Sequence, residues 1–186
     1  MGITVREERA TDIDAIGRLT DAAFREHPLS NHTEQFIISA LRRCGRLTLS
    51  LVAVEGGAIL GNVALSPVTI SSGVTGWYGL GPVSTLPSRQ REGIGSMLID
   101  SALAELKRIG AAGCVVLGDH GFYGRFGFRA RRGLDLPGAL AEHFQAIAFG
   151  TEPPIGSVRY HESLEGHSLT RRSSFDKLRM TLRRSG

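Results

Sequence analysis

Gln90-Arg91-Glu92-Gly93-Ile94-Gly95-Ser96 is the stretch whose reading decides the fold. A run readable as a strand, Trp77 to Leu86, leads into it, and a helical pattern reaching Ile109 follows. Strand, glycine turn and helix outline a phosphate cradle. Backbone N–H groups converge on an anion only where no side chain holds it away, and a helix opening at about Glu92 adds unpaired N–H groups and the positive end of its dipole. Gly93 and Gly95 mark the closest approach. Two glycines at such a junction also make a plain tight turn, and alone they do not decide between the two.

The turn lacks the Gly-Lys-Ser/Thr ending of an NTPase P-loop, and it lacks the third glycine and distant acid of a dinucleotide-binding unit. What remains is Gln90-x-x-Gly93-x-Gly95, preceded by a proline-interrupted strand and followed about thirty residues on by Phe122-Tyr123-Gly124-Arg125-Phe126-Gly127-Phe128. With Leu117-Gly118-Asp119, these motifs resemble the GCN5-related N-acetyltransferase (GNAT) superfamily, and within it the bacterial YhbS-like branch. The match is close from Trp77 to Ala130 and loose in the flanks.

That resemblance implies an α/β (α+β) fold: a mixed, mostly antiparallel central sheet with a splayed parallel strand pair and flanking helices. It implies an N-acetyltransferase that uses acetyl-CoA as cosubstrate and passes the acetyl group to a primary amine by direct attack. Carried over residue by residue, the backbone of Arg91, Glu92, Gly93, Ile94, Gly95 and Ser96 would cradle the pyrophosphate, with Ser96 adding a hydroxyl. Val83, Ser84 and Thr85 would pair with the pantetheine and direct an N–H at the thioester oxygen. Tyr123 falls where the family places its general-acid tyrosine, and a phenol with an ordinary pKa of about 10 is protonated at neutral pH. The alternative for Tyr123 is an aromatic packed beside Phe122 and Phe126. Many members carry an asparagine about seven residues before the tyrosine; Val116 stands there, so that contact is absent or replaced by Asp119 or His120. Asp119 and His120, acting directly or through water, are also the candidates for the base.

The 186 residues suit one domain, with 1–165 as the acyltransferase unit and 166–186 as a tail. A composition of 41% hydrophobic and 22% charged residues is that of an ordinary water-soluble protein. No apolar run approaches the roughly eighteen residues a membrane helix needs, and the charged start, Met1 to Glu8, does not read as a secretory signal, so a cytoplasmic location is expected. Cys44 and Cys114, far apart in apolar segments, suit reduced core thiols. The six histidines show no helical His pair, and no metal is expected.

The net charge of +4 belongs to the tail, where Arg171, Arg172, Lys177, Arg179, Arg183 and Arg184 face the single acid Asp176. Nothing upstream reads as a basic patch with interleaved aromatics, so nucleic acid is not an expected partner. The competing reading is a CoA-binding sensor or scaffold whose basic tail contacts an acidic partner. Edge strands of this fold also allow a homodimer. Whether the acceptor is a small molecule or a protein is not written in the sequence.

In chain order, Ile3 to Glu7 alternates as a first strand. Thr11 offers a cap to a helix carrying Ile13, Ile16, Leu19, Ala23 and Phe24. His27 to His32 breaks the pattern, and Thr33 opens a second helix with Phe36, Ile37, Ala40, Leu41 and Cys44 along one side. Leu47 to Glu55 and Ala58 to Ser71 form a hairpin about Gly56-Gly57, and with Trp77 to Leu86 an antiparallel meander. Gly81-Pro82 marks either an edge kink or a bulge, because proline cannot donate to a ladder. Ile94, Leu98, Ala102, Leu106 and Ile109 form a core stripe closed by Gly110. Gly113 to Leu117 is a strand covered on both faces and parallel to the one before the helix. A short helix holding Tyr123, a strand start at Phe126 to Ala130, and late strands at His143 to Phe149 and Ser157 to Tyr160 complete the pattern.

Overall fold

A computed structural model describes residues 2–25, 34–150 and 152–161. The break expected at His27 to His32, the helix start at Thr33 and the tail from Gly166 lie outside these residues. Among them, β1 (Thr4–Glu7), β2 (Leu49–Glu55), β3 (Ala58–Pro67), β5 (Trp77–Thr85), β6 (Gly113–Leu117) and β8 (Phe144–Ala148) form one sheet in the order β1-β2-β3-β5-β6-β8. Every pair in it is antiparallel except β5 with β6. This is the mixed sheet with one parallel pair that the sequence implied. A small second sheet has the order β4-β9-β7, from Thr69–Ile70, Gly156–Arg159 and Leu134–Asp135.

Helices cover both faces. On one side α3 (Ile94–Arg108) buries Ile94, Leu98, Ile99, Ala102, Leu103 and Leu106 against Leu51, Val63, Leu80, Cys114 and Val116. On the other, α1 (Ile13–Phe24) and α2 (Glu34–Arg43) set Ile16 and Ile38 on Val52 and Ala64. The α3 stripe is core as expected, except that Ile109 lies past the last turn and is 46% exposed. Gly110 closes the helix at φ 74°, a backbone region that favours glycine. Leu98 is fully buried in the largest cluster. Leu98→Ala is expected to cost about 2–5 kcal/mol in a urea unfolding titration, because the methyls leave a cavity that the sheet cannot close.

Several local expectations are corrected. The strand from Ala58 stops at Pro67, which has no N–H for the ladder; Thr69 and Ile70 then leave to pair with Arg159 and Val158 in the second sheet. Phe126 to Ala130 is not a strand. A 3-10 turn over Gly124–Phe126 runs into Gly127 at φ 94°, and only Arg129 bridges to Ala146. Thr11 does not cap α1: a 3-10 turn over Ala10–Asp12 precedes it, and the Asp12 carboxylate accepts from Arg6 at 2.6 Å and from the Arg9 N–H at 2.7 Å. Cys114 is a buried free thiol, but Cys44 is exposed.

Candidate active site

The parallel pair is joined only at its start. Trp77, Tyr78 and Gly79 face Gly113, Cys114 and Val115; beyond Gly79 no ladder joins β5 to β6. On its other edge β5 stays with β3 as far as Thr85, but Leu80 faces Leu65 and Val83 faces Val63, so Gly81 and Pro82 together oppose Ala64 alone. An extra residue in one strand is a bulge, and it bends that strand away from its neighbour. The proline therefore marks a bulge inside the sheet and not an edge kink. The opening that results has unpaired strand backbone on its β5 side.

The glycine turn stands at the end of this opening. Arg91 takes φ 66° and Gly93 φ 84°, and Gly93 is the N-terminal cap of α3, which starts at Ile94 and not at Glu92. Helix geometry leaves the N–H groups of Ile94, Gly95 and Ser96 without intrahelical partners, whereas Met97 N–H donates to Gly93 O at 3.0 Å. Glu92 would repel an anion here, but Arg89 donates to its carboxylate at 2.8 Å and to Glu55 at 2.9 Å. That partly offsets the acid's charge, which Arg89 shares between Glu92 and Glu55, and it ties the turn to the β2–β3 hairpin. Arg91 is exposed beside it.

The remaining candidates meet this turn from two sides. A Cβ added at Gly95 would lie 3.7 Å from Thr85 Oγ1 and 3.8 Å from Phe122 Cζ, so the end of β5, the helix start and α4 (His120–Tyr123) converge at one glycine. Ser84 points away from α3, and its hydroxyl donates to Thr20 Oγ1 of α1 at 3.2 Å in a buried contact. Only its backbone is left to serve the opening. Val83 packs on the α3 side.

Tyr123 packs over Gly118 so closely that a Cβ there would collide with its ring. It makes edge-to-face contacts with Phe122 at 5.0 Å and Phe128 at 6.0 Å. Its hydroxyl makes no hydrogen bond among the described residues. Burial, with a smaller contribution from Cys114, pushes its pKa up to about 12. The ring is packed, as one reading of Tyr123 expected, and its phenol is protonated at neutral pH.

Asp119 has a structural task, accepting the Phe122 N–H at 2.6 Å as the cap of α4. The spacing Asp119-x-x-Phe122 before a short apolar turn is a cap signal that the sequence reading passed over. His120 lines a cavity of about 700 Å³ with Arg125, Phe128, Arg129, Glu142 and Gln145, and no residue of the cradle or of β5 borders it. Burial raises the Cys114 thiol far above its ordinary value, which keeps it protonated and unreactive. Among the described residues no cluster of His, Cys, Asp and Glu could hold a metal ion, and no helix is long and apolar enough to cross a membrane.

Comparisons with known proteins bear on the family and the fold. A family model described as "Acetyltransferase (GNAT) domain" matches residues 47–130, the span from the start of β2 past Phe128. The chain is 34% identical over 158 residues to a protein of Escherichia coli K12 named "Uncharacterized N-acetyltransferase YhbS", covering 81% of this chain and 92% of that one. A crystal structure of a GNAT family acetyltransferase from Brucella melitensis, in complex with acetyl-CoA, superposes with a TM-score of 0.79 at 49% identity, covering 88% of this chain and 98% of that chain. The structure of Escherichia coli YhbS in complex with CoA gives 0.80 at 30% identity, over 91% and 96%.

Proposed function

The chain belongs to the GNAT acetyltransferase family, and on that footing we propose that it transfers an acetyl group from acetyl-CoA to a primary amine by direct attack. The observation that carries this reading is the β5–β6 opening with the glycine turn at its end: a strand edge for the amide-bearing arm, next to N–H groups for the phosphates. Two relatives that cover nearly their whole length hold acetyl-CoA or CoA, which supports the same ligand here. In this reading the Arg91 to Ser96 backbone takes the pyrophosphate, and the backbone of Val83, Ser84 and Thr85 takes the pantetheine.

The free amine attacks the thioester carbon. A C–N bond forms, the C–S bond breaks, and the departing sulfur takes the Tyr123 proton. The nitrogen sheds its extra proton, through water, to restore the phenol. No enzyme nucleophile is needed, and Cys114, neutral and buried in β6, does not offer one. Positioning two reactants in one cleft and polarising the carbonyl account for most of the rate such a site can supply.

Calorimetric titration with acetyl-CoA, CoA and NADH tests the cosubstrate. Micromolar binding of both CoA species with no response to NADH is expected; absence of CoA binding would leave a fold without this activity. Release of free CoA thiol in a screen of primary amines then identifies the acceptor.

A further inference from the structure

A second phenol stands at the opening, on the face away from Tyr123. Tyr78 and Cys114 pack with α3, so Gly79, the next residue of β5, turns to the α1–α2 face. Tyr160, just past the end of β9, lies on that glycine: an added Cβ there would collide with the Tyr160 ring and sit 3.1 Å from its hydroxyl oxygen. The ring also packs on the Ile37, Ala40 and Leu41 cluster of α2 and on the cluster holding Trp77 and Val68. Its hydroxyl makes no hydrogen bond among the described residues, although burial raises its pKa and the Cys114 and Tyr123 side chains raise it further. Tyr123 packs on the cluster that holds α3, whereas Tyr160 packs on the clusters of the opposite face, so the two phenols lie on opposite sides of the sheet. Gly79 is the last β5 residue paired with β6, which puts Tyr160 at the apex of the opening.

On the reading above, a thioester arm whose phosphates sit at the start of α3 would reach the opening from the Tyr123 side, which leaves the α1–α2 face for the nucleophile. We infer that Tyr160 lines the acceptor side of the opening, where its phenolic oxygen accepts an N–H of the incoming amine and holds the nitrogen toward the acyl carbon. This rests on the reading that the opening holds the thioester. It assigns Tyr160 a contact with the acceptor, not a proton transfer: a phenol with a raised pKa stays neutral wherever the amine is free, so it accepts a hydrogen bond without acting as the base.

The test needs no knowledge of the natural acceptor. The probe is a CoA thioether whose sulfur carries CH2–CO–NH–propyl, which sets an N–H one bond beyond the position of the attacking nitrogen, on the acceptor side of the sulfur. Wild type is expected to bind it at least tenfold more tightly than CoA by calorimetry. Tyr160→Phe should reduce that gain about five- to tenfold, as for loss of one hydrogen bond, while CoA itself binds unchanged. Gly79→Ala, which displaces the ring, should reduce the gain in the same way. Unchanged CoA affinity shows that each variant is folded. A role in packing alone would leave the gain intact in Tyr160→Phe, and that result, or no gain in wild type, overturns the inference. If CoA does not bind wild type at all, the underlying reading falls, and this inference with it.

Discussion

Replacing Tyr123 with phenylalanine is expected to lower kcat about a hundredfold while leaving acetyl-CoA affinity unchanged. The magnitude is the lower end of what a positioned acid contributes, and there is a reason to choose that end. A catalytic acid works best with a pKa near the working pH, but burial holds this phenol up to about 12. The thiolate of a thiol with an ordinary pKa of about 8.5 is a weak base toward it. Its proton therefore passes to the sulfur only together with the loss of the nitrogen's proton, and until then the hydroxyl is a strong hydrogen-bond donor to the departing sulfur. Phenylalanine keeps the contacts with Phe122 and Phe128, so binding and fold survive. Turnover unchanged in this variant would remove Tyr123 from the mechanism.

The same burial fixes the sign of a pH effect. Tyr123 is functional when protonated, and its pKa in the folded chain is raised from 10 to about 12. Its protonated form therefore persists through pH 10, and kcat should not fall between pH 7 and 10 on its account. Unfolded tyrosine ionises from about pH 10. The stability that follows from the raised value is complete below that pH and is lost as pH rises through about 12. Tyr160, whose pKa is also raised, should keep part of this alkaline sensitivity in Tyr123→Phe.

Gly95→Val is expected to weaken acetyl-CoA about a hundredfold, close to 2.7 kcal/mol, with little change in melting temperature. A Cβ at this position meets Thr85 and Phe122 only at ordinary contact distances, and the residue has helical geometry, so the free protein accepts the first carbon of a side chain without strain. What it fills is the space where β5, the helix start and α4 converge, which is where the phosphates must approach the backbone. Calorimetry together with a thermal melt separates the two effects. Affinity within a factor of three of wild type would mean that the ligand lies elsewhere.

Much of this was legible in the sequence because the signals were local. Gly93 and Gly95 with the stripe from Ile94 gave turn and helix, Gly110 its end, and the apolar run Gly113 to Leu117 a strand covered on both faces. Gly81-Pro82 left an edge kink and a bulge open, and the register opposite Ala64 decides for the bulge. The misreadings have local causes too. Nothing in Val68-Thr69-Ile70 marks a change of sheet except Pro67 before it, and Phe126 to Ala130 looks extended until Gly127 takes a positive φ. Tyr160 over Gly79 was beyond reach for a different reason: the two are about eighty residues apart, and neither carries a pattern naming the other.

The pairing of Thr69 with Arg159, and of Leu134 with Gly156, has a consequence for synthesis on the ribosome. Strands β5 and β6, the glycine turn and α4 are all complete once residue 128 has emerged, whereas the small sheet cannot close until residue 159 is free of the exit tunnel. Contacts of such long sequence separation form late, after the loop-closure entropy has been overcome. A nascent chain thus acquires the half that carries the glycine turn and Tyr123 well before the wall that carries Tyr160. Stalling translation between these points would yield a species with the first half built and the second missing.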